Sequence, residues 1–118
     1  MLVVDDNADV RELLKVAFRD AFDVLEAADG LAAYALACAH RPSVICLDIA
    51  MPMVDGWTVL RKLRANSNTK DIPIVIFTAL DLQAVRPQAM AFGVKAVLRK
   101  PASKTDLEAA IQRALGRR

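Results

Sequence analysis

The sequence predicts an α/β fold in which one parallel sheet is covered by helices on both faces. Three observations carry that prediction. Short apolar runs at Met1-Leu2-Val3-Val4, Val44-Ile45-Cys46-Leu47, Ile74-Val75-Ile76-Phe77 and Ala96-Val97-Leu98 are continuous rather than alternating, as in strands buried on both faces. Between them lie stretches whose apolar residues recur at helical spacing, joined by short connections. The runs also end in polar groups: Asp5-Asp6, Asp48, Thr78, and Lys100-Pro101 after Arg99. In open α/β sheets, ligands bind just beyond the carboxyl ends of the strands.

Taken in order, Met1–Asp5 reads as the first strand. Asn7 is suited to cap a helix from about Ala8 to Ala21, with Val10, Leu13, Leu14, Ala17 and Phe18 inward and Arg11, Glu12, Lys15 and Arg19 toward water. Asp23–Ala27 is a weaker strand, expected at a sheet edge. Asp29-Gly30 turns the chain into an Ala-rich helix over Leu31–Ala39, with Tyr34 and Cys38 one turn apart. His40, the single histidine, follows beside Arg41-Pro42 and reads as a surface residue near a helix end.

Val44–Leu47 leads straight into Asp48, and Pro52 and Asp55-Gly56 punctuate the loop that follows. Trp57–Ala65 is a third helix facing inward through Leu60 and Leu63. Asn66–Asp71 is a polar connector before the strand Ile74–Thr78. Leu80–Phe92 should hold a helix, but Pro87 lies in its middle. Proline is comfortable only in a first turn, so this helix is expected to start near Arg86 or to kink there, and to end at Gly93. Ala96–Arg99 is the last strand. Ser103 and Asp106 resemble a capping box for a helix with Leu107, Ala110, Ile111, Ala114 and Leu115 on one stripe, closing in Gly116-Arg117-Arg118. Five strands alternating with five helices make one βα sandwich, a single domain over 1–118.

Three carboxylates, a hydroxyl and an ammonium thus converge at one sheet edge. Clustered carboxylates repel unless a cation neutralises them. Mg²⁺ suits such a pocket, since it takes a few carboxylates plus waters and leaves room for phosphate oxygens. Each residue has a plainer reading taken alone: Asp48 or Asp5-Asp6 as a strand-end turn, Thr78 as a β-branched strand residue, Lys100 as a solvated surface lysine. Together, at four strand ends, they point to a phosphate site with an acidic metal pocket.

These motifs, Asp5-Asp6, Leu47-Asp48-Ile49-Ala50-Met51-Pro52 with Asp55-Gly56, Thr78-Ala79 and Lys100-Pro101, come in an order that resembles the receiver domain of two-component response regulators, the chemotaxis-regulator-like family. The resemblance spans nearly the whole chain. It implies a five-stranded, doubly wound, flavodoxin-like sheet in the order 2-1-3-4-5. It implies that Asp48 accepts a phosphoryl group from a phosphohistidine, on a sensor histidine kinase or a histidine phosphotransfer protein. Asp5, Asp6, Asp48 and the backbone carbonyl of Ala50 would hold Mg²⁺, Thr78 and Lys100 would contact the phosphoryl oxygens, and the Lys100–Pro101 bond would be cis. Such a domain is a regulatory phospho-acceptor that promotes its own phosphorylation and slow dephosphorylation, not a turnover enzyme. Its signal passes to a downstream protein through the fourth helix, fifth strand and fifth helix.

The chain departs from the family pattern at Val97, where relatives usually carry an aromatic residue coupled to the threonine, and at Pro87. Ala50 and Leu80 are apolar where many relatives carry polar groups that help position water, so a long-lived phosphoryl group is expected. Two alternatives stay open: a degenerate receiver that binds a partner without phosphorylation, and a Mg²⁺-dependent phosphatase, for which the chain has no inserted cap long enough to build a substrate pocket.

Composition narrows the field further. Hydrophobic residues make up 55% of 118, and the net charge is only +2, which gives no electrostatic case for nucleic acid. Cys38 and Cys46 lack metal-ligand spacing and read as reduced packing residues of a cytoplasmic protein. No apolar run approaches the roughly 18 residues of a membrane span.

Overall fold

The computed structural model describes residues 1–51 and 55–116. Pro52, expected to punctuate the loop after Asp48, and the closing Arg117-Arg118 lie outside the described residues. Among those described, strands β1 (Leu2–Val4), β2 (Leu25–Ala27), β3 (Ile45–Leu47), β4 (Ile74–Thr78) and β5 (Ala96–Arg99) alternate with helices α1 (Ala8–Phe18), α2 (Gly30–His40), α3 (Gly56–Ala65), α4 (Leu82–Ala91) and α5 (Lys104–Ala114). All pairings are parallel and the sheet order is β2-β1-β3-β4-β5, as the resemblance implied.

The period-2 alternation of each strand divides the core between the two faces of the sheet. Leu2, Val4, Ile45, Leu47, Ile74 and Ile76 pack beneath α2, α3 and α4. Val3, Cys46, Val75 and Phe77 pack beneath α1 and α5. The central strands are apolar on both sides because both sides are covered, which is why their sequence shows runs instead of alternation. The edge strand β2 is only half-buried and correspondingly weak in sequence. Among the described residues no helix is long and apolar enough to cross a membrane.

Short polar side chains start the helices as their positions suggested. Asn7 accepts from the amides of Asp9 and Val10, Asp29 from Ala32, Asp55 from Thr58, and Ser103 from Asp106. Four expectations are corrected. α4 begins at Leu82, not near Arg86, because Asp81 accepts from the Gln83 amide and caps it about a turn and a half ahead of the proline, which sits inside the helix. α1 ends at Phe18 rather than Ala21, and its Leu13 is 58% exposed: Leu14 and Phe18 face the sheet, with Val10 and Ala17 beside them. Arg11, expected to face water, folds back onto the strand ends. Leu60 and Leu63 are buried as expected, and His40 is the exposed last residue of α2.

Gly56 fixes the path of the loop after β3. Its amide donates to the Ile49 carbonyl at 3.1 Å. A Cβ there would stand 2.7 Å from the Asp48 carbonyl oxygen and closer still to the Ile49 Cα. Both obstacles are backbone, so no side-chain rotation relieves them. Gly56→Ala should therefore cost about 1–3 kcal/mol or more, read as a lower urea midpoint; an unchanged midpoint would show that the loop yields freely.

Cys46 lies wholly within the core, and burial, followed by the charge of Asp5, pushes its thiol up to about 12. The unfolded chain loses this proton near the ordinary value of 9, so the thiol favours the unfolded state as pH rises from about 9 toward 12. At pH 8 a thiol reagent should modify half-buried Cys38 in the folded protein and leave Cys46 untouched until urea is added. Equal labelling rates, measured by intact mass, would contradict this burial.

Candidate functional site

Because the strands run parallel, their carboxyl ends share one edge. The register aligns Val4 of β1 with Leu47 of β3, so Asp5 and Asp48 leave adjacent strands at the same level. Asp48 donates its amide to the Val4 carbonyl at 2.9 Å, and Asp5 donates to the Ala27 carbonyl at 3.1 Å, extending the ladder to the site. Asp5 is 2% exposed and Asp48 5%, whereas Asp6 is open to solvent. One carboxylate oxygen from each of Asp5, Asp6 and Asp48 lies within 4.8 Å of the other two.

Lys100 closes the group from the end of β5. Its Nζ donates to Asp5 Oδ2 at 2.6 Å and to Asp48 Oδ2 at 3.0 Å. Its amide donates to the Thr78 carbonyl at 2.7 Å, and the following Lys100–Pro101 bond is cis. The ammonium also stands 5.6 Å from the Phe77 ring centroid, within cation–π range. Asp48 Oδ1 accepts from the Ala50 amide at 3.0 Å, so Asp48 is oriented from both sides. Ala50 itself is exposed.

The electrostatics follow from taking these charges out of water. Burial pushes the Asp5 carboxyl above its usual value; the bonds from Lys100 and the Asn7 amide only partly offset it, and Asp48 adds to the upward push. Burial alone would lower Lys100, but its hydrogen bonds to Asp5 and Asp48, with their charges, outweigh that and raise it. The ammonium is thus held charged by two carboxylates while the acidic side remains short of compensation. That imbalance favours a further cation.

The donor set suits a hard divalent ion. Octahedral Mg²⁺ at about 2.1 Å requires ligand oxygens roughly 3–4.2 Å apart. The three carboxylate oxygens lie within 4.8 Å of one another, close enough for small side-chain rotations to meet that need. Neither a sulfur nor an imidazole is among the three.

Thr78, the last residue of β4, is wholly buried, and its hydroxyl accepts from the Leu80 amide at 3.2 Å. All the site residues expected from sequence therefore stand along one sheet edge. Asp5, Asp48 and Lys100 are in direct contact, Asp6 is within reach, and Thr78 joins through its carbonyl to the Lys100 backbone. Two contributors were not anticipated. Arg11 Nη1 donates to the Asp5 carbonyl at 2.8 Å while its Nε pairs with Glu26 at 3.4 Å, bracing the β1 end from α1. Phe77 supplies the ring facing Lys100. The available signal for Arg11 was its place in the second turn of a helix that starts beside Asp5.

Comparison with known proteins agrees with this geometry. The model of the response regulator receiver domain matches residues 1–112. The chain is 42% identical over 102 residues to the response regulator PleD of Caulobacter vibrioides, covering 86% of the chain and 22% of that protein. It is 36% identical over 119 residues to the DNA-binding dual master transcriptional regulator RpaA of Synechocystis, covering 100% of the chain and 49% of that protein. The chain thus spans half, or less, of the length of these curated relatives. Among solved structures it superposes on the Vibrio cholerae chemotaxis protein CheY4 with a TM-score of 0.90 at 31% identity, over 97% of this chain and 96% of that one. It also superposes on the receiver domain of the Pseudomonas aeruginosa sensor histidine kinase PA1611, with a TM-score of 0.87 at 31% identity over 98% and 95% of the two chains; that structure carries a magnesium ion in its active site cleft. With five parallel strands in the shared order and the family's motifs at their carboxyl ends, the chain belongs to the response regulator receiver domains of two-component signalling.

Proposed function

We propose that this receiver accepts a phosphoryl group on Asp48, with Mg²⁺ held by Asp5, Asp6, Asp48 and the Ala50 carbonyl, and thereby switches a protein-interaction surface. The observation that carries the reading is the Lys100 ammonium bridging Asp5 and Asp48, residues 95 and 52 positions away in the chain. A buried carboxylate needs its charge compensated. Here it is compensated by a group that can transfer its bonds to an arriving anion.

In the step itself, an Asp48 carboxylate oxygen attacks phosphorus in line. The P–N bond to the donor imidazole breaks, and that imidazole keeps the bonding electron pair and takes up a proton. The protein's part is positioning and charge. The Ala50 amide holds Asp48 Oδ1, leaving Oδ2 to react, and Lys100 would follow the charge from Oδ2 to a phosphoryl oxygen. The Thr78 hydroxyl, already accepting from Leu80, keeps its own hydrogen to donate to a second oxygen. Bound Mg²⁺ supplies further neutralisation of the transferred group. The donor would be a histidine kinase or a phosphotransfer protein, and the output would leave through α4, β5 and α5.

Intact mass after incubation with acetyl phosphate and Mg²⁺ tests this directly. Wild type should gain one phosphoryl group that Asp48→Asn does not. A mass unchanged in wild type, with beryllofluoride also failing to bind, would instead favour a module that binds its partner without phosphorylation.

Ala50 and Leu80 are both exposed at the site and offer no polar side chain to orient water. The phosphoryl group should therefore be long-lived, and Ala50→Asn should shorten its half-life several-fold in the same assay. An equal or longer half-life would remove water positioning as the explanation.

A further inference from the structure

α4 is anchored very unevenly along its length. Its C-terminal half is bolted down from several sides. The Arg64 guanidinium donates through Nε to the Phe92 carbonyl at 2.8 Å and through Nη1 to the Lys70 and Ile72 carbonyls, each at 2.8 Å. One side chain thereby ties the end of α3, the connector before β4 and the end of α4 together. Burial pulls this guanidinium below its ordinary value, with Asp71 opposing, as expected for a side chain committed to the interior. The Phe92 ring packs on Trp57 at 6.3 Å, and Val94 returns its amide to the Ala89 carbonyl at 3.2 Å.

Among the described residues the N-terminal half has no side-chain clamp to another helix, although burial is even, with Val85 alone buried in Leu82–Arg86 and Ala89 alone in Pro87–Ala91. Its start is held by Asp81, which accepts from Gln83 through its side chain and from Ala84 and Val85 through its carbonyl. Pro87 lies in the turn that joins the two halves of the otherwise continuous helix. Without an N–H, Pro87 cannot donate to the Gln83 carbonyl, and its ring crowds that same carbonyl. The loosely held half is also the one wired to the site, because Leu80, just before the Asp81 cap, donates its amide to the Thr78 hydroxyl.

We infer that α4 is a two-part lever pivoting at Pro87: residues 80–86 follow the Thr78 hydroxyl while residues 88–94 stay fixed to α3 through Arg64. This rests on the phospho-acceptor reading for its trigger, though not for its hinge. When Thr78 turns its hydroxyl toward a phosphoryl oxygen, the Leu80 amide must follow or lose its acceptor. The hydrogen bond missing at Pro87 confines the displacement to the first turn and a half. The regulated surface is then the start of α4, around Leu82 and Arg86, and not the whole helix.

Residue-by-residue amide exchange by NMR, with and without Mg²⁺ and beryllofluoride as the phosphoryl stand-in, tests both parts. In unliganded wild type, amides 82–86 should exchange at least about tenfold faster than 88–94, and Pro87→Ala should slow the first group toward the second. Arg64→Lys should speed 88–94 relative to β4 amides. Bound beryllofluoride, seen by its own ¹⁹F resonance, should shift 80–86 and leave 88–94 in place in wild type, and should shift both halves together in Pro87→Ala. Uniform exchange along wild-type α4, or no effect of Pro87→Ala, would overturn the hinge. A bound ¹⁹F signal with both wild-type halves displaced together would overturn the coupling. Absence of any bound ¹⁹F signal would overturn the phospho-acceptor reading and the coupling with it, while the unliganded comparison still decides the hinge.

Discussion

The bridge from Lys100 to two buried carboxylates is the constraint around which the sheet edge is organised. Two nearly inaccessible carboxylates side by side would be severely destabilising without a cation, and breaking such a pairing leaves an uncompensated charge in the interior. Everything nearby serves to hold that cation and orient its partners. The Asn7 and Ala50 amides take the remaining oxygens, Arg11 braces the β1 end, and the Lys100 amide is tied to the Thr78 carbonyl. A site built this way favours a divalent cation, which would relieve the excess of negative charge already present.

Much of this was legible in the sequence, and the reason is physical. Strands covered on both faces must be apolar throughout, so β3 and β4 announce themselves as runs, and the first polar residue after each run marks the sheet edge. Asp48 and Thr78 are found by that rule alone. Helix starts were legible where Asn7, Asp29, Asp55 and Ser103 supplied caps. The strand order, by contrast, follows from crossover geometry that no local pattern records, and here it came from the resemblance to a family.

The misreadings share a cause. Leu13 fits the apolar stripe of α1 by spacing, but the helix presents a narrower arc to the sheet than the stripe suggests, leaving Leu13 beyond its edge. Pro87 argued for a late helix start from propensity, while the Asp81 cap and burial of Val85 and Ala89 sustain the turn before it. Arg64 was invisible as a clamp, since its three carbonyl partners are brought together only by the fold. Val97, in place of an aromatic, packs half-buried on the α4 side of the sheet; as a short apolar side chain it offers the site neither a ring nor a hydrogen bond.

The site draws its parts from positions 5, 48, 78 and 100, and its tightest bond joins residues 95 apart in the chain. Each parallel pairing needs a helical crossover to form first, and such distant contacts are slow to assemble. A ribosome releasing this chain delivers the two aspartates long before the lysine that compensates them. The two buried carboxylates therefore gain their compensating cation only when β5 has joined the sheet. Until then the sheet edge carries two carboxylates with no lysine to offset them.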